Sequence, residues 1–410
     1  MTMAKTKAVD TEHSLSAVDQ GSRQGFWSLM VVLVGFTYFS PSMTAGGNLG
    51  IGLNMRDFLI AMIAGNAFLG AYTAILAHIG QSTGLTMDLL ARRSFGEKGS
   101  YLPSAIISFT QIGWFGVGVA MFAIPVANLI NLNSTLIIII MGAAMTVTAY
   151  FGFKALALLG SIAVPLITVL GVYSVNYGVN QVEGFKNVFS EMPAQPITIG
   201  AALAVVIGSF ISGGTSTPNF TRFGKTSKSA VWSTIIAFFI GNSIMFIFGA
   251  VGGATTGKPD IFDILIEQNL VLAAIAVLGL NIWTTNNNAL YTAGLGLANI
   301  TKIQSKPLVL VGGAIGTAAA MWLYNNFIAY LSTLGAAIPP VGAVIIIHYF
   351  MNRKQYEDKD FKPEMLNLGA IIAVVGGALV GLFLKWGIAP LNSLVVAAVV
   401  FYIWEKSKKK

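Results

Sequence analysis

The chain has 410 residues, 55% of them apolar and only 10% charged, with a mean hydropathy of +0.73. No soluble domain of this size carries that balance, so the sequence reads as an all-α polytopic membrane protein. The net charge of +8 comes from basic residues scattered singly between apolar runs and in a short Lys-rich tail, which argues for topology signals and against nucleic-acid binding.

There is no cysteine, which removes disulfides, thiolate catalysis and Cys-ligated metals. The three histidines, His13, His78 and His348, have no metal-ligand spacing. Residues 1–25 are polar and mixed in charge, without the apolar core of a signal peptide, and are expected to form a solvated cytoplasmic tail. Twelve apolar segments follow, at about 26–52, 57–82, 101–129, 134–152, 155–180, 197–217, 230–254, 268–299, 307–324, 327–350, 366–384 and 388–404. With the amino terminus inside, only Arg56, Lys186, Lys258 and Lys385 of the 24 Lys and Arg residues fall on the outer side. That asymmetry places both termini in the cytoplasm.

Segment one has a weak point at Phe39-Ser40-Pro41-Ser42, followed by Gly46-Gly47, where proline removes a donor and disfavours helix before it. The loop Gly84 to Ser100, with Arg92 and Arg93, is too short for a domain and reads as a topology anchor. Segment three places Gln111, Trp114, Phe115 and Gly118 on one helical face at its midpoint. Segment six has its own weak point at Ser209 to Thr215, with Phe210 inside it and Pro218 just beyond. Five segments separate the two weak points. The spacing predicts two five-helix repeats of inverted topology, residues 26–180 and 197–350, each opening with a discontinuous helix. Residues 366–404 then form two additional helices and 405–410 a cytoplasmic tail.

Segment eight carries a polar run, Leu280 to Tyr291, near mid-membrane. Asn281, Thr284, Thr285 and Asn288 share one face of it, and such groups must meet other helices, water, an ion or a ligand. Ionisable residues are nearly absent from the segments, so Na+ is the expected coupling ion rather than a proton. The Asn281 amide oxygen and the Thr284 and Thr285 hydroxyls, facing carbonyls freed at the break in segment one, suit it. Trp114 and Phe210 can stack on a flat heterocycle while amides such as Gln111 read its edge. The implied ligand is small, planar and uncharged. An enzyme is excluded because no nucleophile–base pair, metal cluster or carboxylate pair lies at mid-depth. A channel would need a continuous polar pore lining, and a membrane sensor remains an alternative from another class. No obligate protein partner is evident.

Long stretches of the sequence resemble the nucleobase–cation symporter family: GWFGVGVAMFAIPV from Gly113, GSFISGGT from Gly208, GNSIMFIFGA from Gly241, VLGLNIWTTNNNALY from Val277, WLYNNF from Trp322 and AAIPPVG from Ala336. The resemblance spans about residues 23–355 and implies the same five-plus-five fold. It also implies a sodium site of the Gly35 and Tyr38 carbonyls with Asn281, Thr284 and Thr285. The substrate site it implies stacks a base between Trp114 and Phe210, read by Gln111, Ser209, Ser212 and Asn286. Phe at position 210 favours a pyrimidine, and the implied activity is sodium-coupled import of cytosine across the inner membrane by alternating access; another nucleobase, a hydantoin or proton coupling are the alternatives. The resemblance leads one to expect an acid where this chain has Asn287.

Overall fold

The computed structural model describes residues 13–190, 193, 196–358 and 361–409; residues 1–12 and 410, within the expected tails, lie outside the described residues. In chain order the helices are α1 (Phe26–Thr37), α2 (Ser40–Gly52), α3 (Met55–Thr83), α4 (Met87–Phe95), α5 (Tyr101–Leu129), α6 (Ser134–Ala149), α7 (Phe153–Gln181), α8 (Ile199–Thr215), α9 (Pro218–Thr221) and α10 (Ser227–Ile235). They continue as α11 (Asn242–Thr256), α12 (Ile261–Glu267), α13 (Val271–Ala273), α14 (Gly279–Thr301), α15 (Ser305–Asn325), α16 (Phe327–Ala337), α17 (Pro339–Met351), α18 (Arg353–Glu357), α19 (Leu368–Phe383) and α20 (Ala389–Lys408). Among the described residues, eight helical runs are long and apolar enough to cross a bilayer, and α1 with α2 makes one further span bent by 52°. Two shorter apolar helices, α6 and α19, add to these. Lipid-facing stripes are plain on α7, where Leu158 and Val169 are 64% and 70% exposed.

The break in the first segment lies at Tyr38 and Phe39, both extended, with Pro41 in the first turn of α2. Proline is tolerated there because that turn's N–H groups have no intrahelical partner. Gly46 and Gly47 do not extend the break. They form a seam with α11, where a Cβ at Gly46 would enter the Phe246 backbone and one at Gly249 the Met43 backbone. Without a hydrophobic drive between helices in lipid, such close backbone contact is what holds them.

The expected discontinuity in segment six is corrected. α8 runs unbroken through Ser209 to Thr215, and residues Ile199–Thr221 form one 23-residue run with a tight turn only at Ser216 and Thr217. The ladder passes through that turn: Ser216 N–H donates to the Ser212 and Gly213 carbonyls and Thr217 N–H to Gly214, while Pro218, which has no donor, opens α9. A π turn at Ile236–Gly241 joins α10 to α11, and another at Ala274–Leu278 precedes α14.

Residues 13–25 are not a solvated tail. Ser14 and Val18 are buried, Val18 N–H donates to the Gly84 carbonyl, and Gln24 pairs in parallel with the strand-like backbone at Phe223 to Lys225. Arg23 donates to the Gln81 carbonyl at 3.1 Å, and the buried Arg222 donates to the His13 carbonyl at 2.7 Å. The segment docks because its Val18 N–H and Arg23 guanidinium satisfy the carbonyls of Gly84, Gln81 and Gly224 while the Val18 side chain is buried. The Gly84 to Ser100 loop is likewise more than an anchor, because its α4 is amphipathic and buries Met87, Leu90 and Phe95.

Candidate functional site

Two extended residues at the α1–α2 break leave carbonyls without helical partners, and the polar face of α14 lies opposite them. Asn281 spans the break: its Nδ2 donates to the Tyr38 carbonyl at 2.9 Å, and its Oδ1 accepts the Ser40 N–H at 2.8 Å. The Thr284 hydroxyl lies 3.2 Å from the Gly35 carbonyl and 2.8 Å from that of Asn281. The Thr285 hydroxyl lies 3.4, 3.3 and 3.2 Å from the carbonyls of Gly35, Phe36 and Tyr38. Each hydroxyl has one proton. Four carbonyls therefore share two hydroxyl protons and one amide donor, an excess of oxygen that suits a hard monovalent cation and needs no fixed charge. Gly35, Tyr38, Asn281, Thr284 and Thr285 all come together here, although the Asn281 oxygen already holds Ser40. The Phe36 carbonyl was missed by sequence reasoning, since a carbonyl leaves no mark in the side-chain pattern.

One residue further along α14, a small, nearly filled cavity lies between Phe36, Phe39, Gln111, Trp114, Ser209, Phe210, Ser212, Thr285 and Asn286. All six residues expected at a substrate site line it. Their hydrogen-bond states differ. Asn286 Nδ2 donates to the Phe115 carbonyl at 3.1 Å, which turns its Oδ1 away as a buried acceptor without partner, while Gln111 Nε2 is a buried donor without partner. Ser212 Oγ accepts the Trp114 indole N–H at 3.0 Å, and Ser209 Oγ donates to the Val206 carbonyl.

The two expected stacking rings do not face each other across open space. Phe39 lies edge-on to both, 5.8 Å and 71° from Trp114 and 6.2 Å and 72° from Phe210. It is the residue that sequence reasoning overlooked, and its place beside Pro41 in a broken helix was the available signal. Tyr330 closes the far side of Trp114 at 5.7 Å and donates to the Thr110 carbonyl. Asn287 faces elsewhere: it exchanges hydrogen bonds with Thr148 at 3.0 and 3.1 Å, and the Trp283 indole N–H donates to the same hydroxyl. Among the described residues no three His, Asp or Glu side chains could hold a metal together.

Residues 18–403 match the family described as a permease for cytosine/purines, uracil, thiamine and allantoin. The chain belongs to this family. The permease is 52% identical over 395 residues to the cytosine permease of Escherichia coli strain K12, covering 96% of this chain and 94% of that one. A hydantoin permease of Microbacterium maritypicum is 24% identical over 380 residues, 84% of this chain and 75% of its own. Among solved structures, Mhp1, a nucleobase-cation-symport-1 family transporter in a closed conformation with bromovinylhydantoin bound, superimposes with a TM-score of 0.84 at 18% identity, covering 96% of this chain and 95% of its own. Membership fixes the class: this is a multi-pass membrane transporter of the nucleobase–cation symporter family and not an enzyme.

Proposed function

We propose that this permease imports cytosine across the plasma membrane together with Na+, by alternating access. The observation that carries the substrate is the pairing of an unmatched donor, Gln111 Nε2, with an unmatched acceptor, Asn286 Oδ1, in one aromatic-walled cavity. Buried groups of that kind are costly until a ligand completes them. Cytosine can do so, its ring nitrogen or carbonyl accepting from Gln111 and its exocyclic amine donating to Asn286. Its flat ring would stack against Trp114 and Phe210 once Phe39 yields. No charged side chain lines the cavity, in keeping with a neutral base.

Coupling follows from chain continuity. Tyr38, whose carbonyl faces Thr285, is covalently joined to Phe39, which touches both aromatic walls. A Na+ among the Gly35, Phe36 and Tyr38 carbonyls and the two threonines would fix the backbone that aims Phe39. Each ligand then raises the affinity of the other by the same factor. Segments one, two, six and seven would rock against segments three, four, eight and nine. The full reading has twelve spans, since α14, too polar to stand out by hydropathy, adds to the apolar ones, and both termini are cytoplasmic.

The test is equilibrium binding of cytosine to the purified permease in sodium and in choline at equal ionic strength, with uracil, adenine and hydantoin as competitors. Binding that is tight in sodium and collapses in choline is expected. Indifference to sodium would sink the coupling ion, and preference for a competitor would replace the substrate.

A further inference from the structure

The polar face of α14 does not end at the candidate ion site. Asn281, Thr285, Asn288 and Thr292 succeed one another at three- or four-residue spacing, and Asn299, seven residues beyond Thr292, shares their face. Asn288 Oδ1, Thr292 Oγ1 and Asn299 Oδ1 are buried and have no hydrogen-bond partner. The amide nitrogens are committed elsewhere, Asn288 Nδ2 to the Thr284 carbonyl at 3.0 Å and Asn299 Nδ2 to the Ser100 and Ser104 hydroxyls at 2.9 Å. The orphaned atoms are therefore two amide oxygens, which only accept, and one hydroxyl, whose single proton can satisfy at most one of them.

Asp88 of α4 stands at the end of this row. It is 1% exposed, and neither carboxylate oxygen has a well-formed hydrogen bond, although the Ser104 hydroxyl and the backbone N–H of Asp88 itself lie close enough to favour the charged form. Gly296 of α14, having no side chain, lets three oxygens of α4 and α5 converge on it. A Cβ at Gly296 would lie 3.0 Å from the Ser104 carbonyl and 3.1 Å from Asp88 Oδ1, and would overlap the Ser108 hydroxyl. Ser108 Oγ spends its proton on the Ala293 carbonyl, so its lone pairs remain available. Arg222, whose charge Asp88 feels, donates to the carbonyls of Asn219 and His13 and to the Tyr291 hydroxyl. Burial pushes the Asp88 carboxyl up to about 6, the mark of a carboxylate short of countercharge.

We infer that Asp88, with Ser104, Ser108 and Thr292, forms a second alkali-cation site, which the coupling ion occupies on its way from the α1–α14 carbonyls to the cytoplasm. Oxygen ligands alone and a single carboxylate match a hard monovalent cation; a divalent one would call for more negative charge. At 1.5 Å per residue, Gly296 lies about 16 Å along the helix from Thr285, too far for one ion to touch both sites. Asn288 and Thr292 would be the stepping stones between them. The inference rests on the sodium-coupled reading above.

The test uses the intact permease in proteoliposomes and separates binding, exchange and net transport of radiolabelled cytosine. Asp88→Asn is expected to bind cytosine with the sodium dependence of the parent and to exchange internal for external cytosine at high sodium on both sides. Its net sodium-driven uptake, which requires inward release of the ion, is expected to fall about tenfold. Thr292→Val, which removes an oxygen without a charge, should shift the same ratio in the same direction and serves if Asp88→Asn does not fold. Net uptake that matches the parent in Asp88→Asn, or in Thr292→Val when the first variant does not fold, overturns the second site. Uptake driven by a pH gradient in choline and lost in Asp88→Asn would make the occupant a proton and also overturn it. If the parent itself binds cytosine without regard to sodium, the coupling reading fails first, and the binding arm alone reveals that.

Discussion

Asn281 Oδ1 accepts the Ser40 N–H at 2.8 Å while the amide nitrogen of the same side chain holds the Tyr38 carbonyl. Between the two lies Phe39, so one residue of α14 clamps both edges of the break that carries the aromatic ring. This clamp replaces the helical hydrogen bonds that the break gives up. Asn281→Ala would leave the buried Ser40 N–H unmatched, at about 1–3 kcal/mol, and leave the Tyr38 carbonyl only its share of the Thr285 hydroxyl. A lower thermal midpoint and weaker cytosine binding in both sodium and choline are expected.

The threonines next to it should behave differently. Thr284→Ala or Thr285→Val removes a candidate ion ligand and leaves the clamp in place. The half-saturating sodium concentration for cytosine binding is expected to rise about tenfold or more, with binding in choline unchanged. An unaltered sodium titration in both variants would move the ion elsewhere.

Gln111→Leu replaces the unmatched donor of the cavity by an apolar group of similar size. Loss of one hydrogen bond to an uncharged partner costs about 0.5–1.5 kcal/mol, so cytosine affinity should fall about tenfold while the thermal midpoint holds or rises, because a buried orphan has gone. Isothermal titration alongside a melting curve reads both.

Asn287→Asp restores the acid that the family resemblance leads one to expect. In this fold position 287 faces Thr148 on α6 and not the α1 carbonyls. Its sodium titration should shift less than those of the threonine variants, since the new carboxylate adds long-range attraction but supplies no oxygen to the ion. A large shift would mean that α6 takes part in ion binding.

Glu97, beyond α4, joins two elements: Arg92 Nε donates to it at 2.8 Å and Lys302 Nζ at 2.9 Å. Partial burial pulls its carboxyl upward, but the hydrogen bonds from Lys302 and Arg92 outweigh this and hold it below the usual carboxylate range. A carboxyl depressed on folding stabilises the protein above its unfolded pKa, and that contribution is lost as pH falls through the folded one. At this exposure the gain is about 1 kcal/mol or less. Melting curves of Glu97→Gln and the parent should differ at pH 7 and converge on acidification below about pH 4.

Much was legible in the sequence because it is written locally. An apolar run long enough to cross hydrocarbon, a proline that removes a donor, and amides repeating at helical spacing each announce themselves within a few residues, and so the all-helical membrane class, the break in the first segment and the polar face of segment eight could be read directly. Long motif stretches carried the family. What only the tertiary structure decided depends on residues far apart in the chain. Whether Pro218 would break its helix turned on neighbouring N–H groups that close the ladder around it. The role of Gly46 depended on the backbone of Phe246. Phe39 gained meaning from two rings about 75 and 170 residues away, and the buried Asp88, in a loop that looked like an anchor, from a glycine on α14. Spacing along one helix fixes which side chains share a face; what that face meets is fixed by packing, where the cost of leaving a buried polar group unmatched selects the partner.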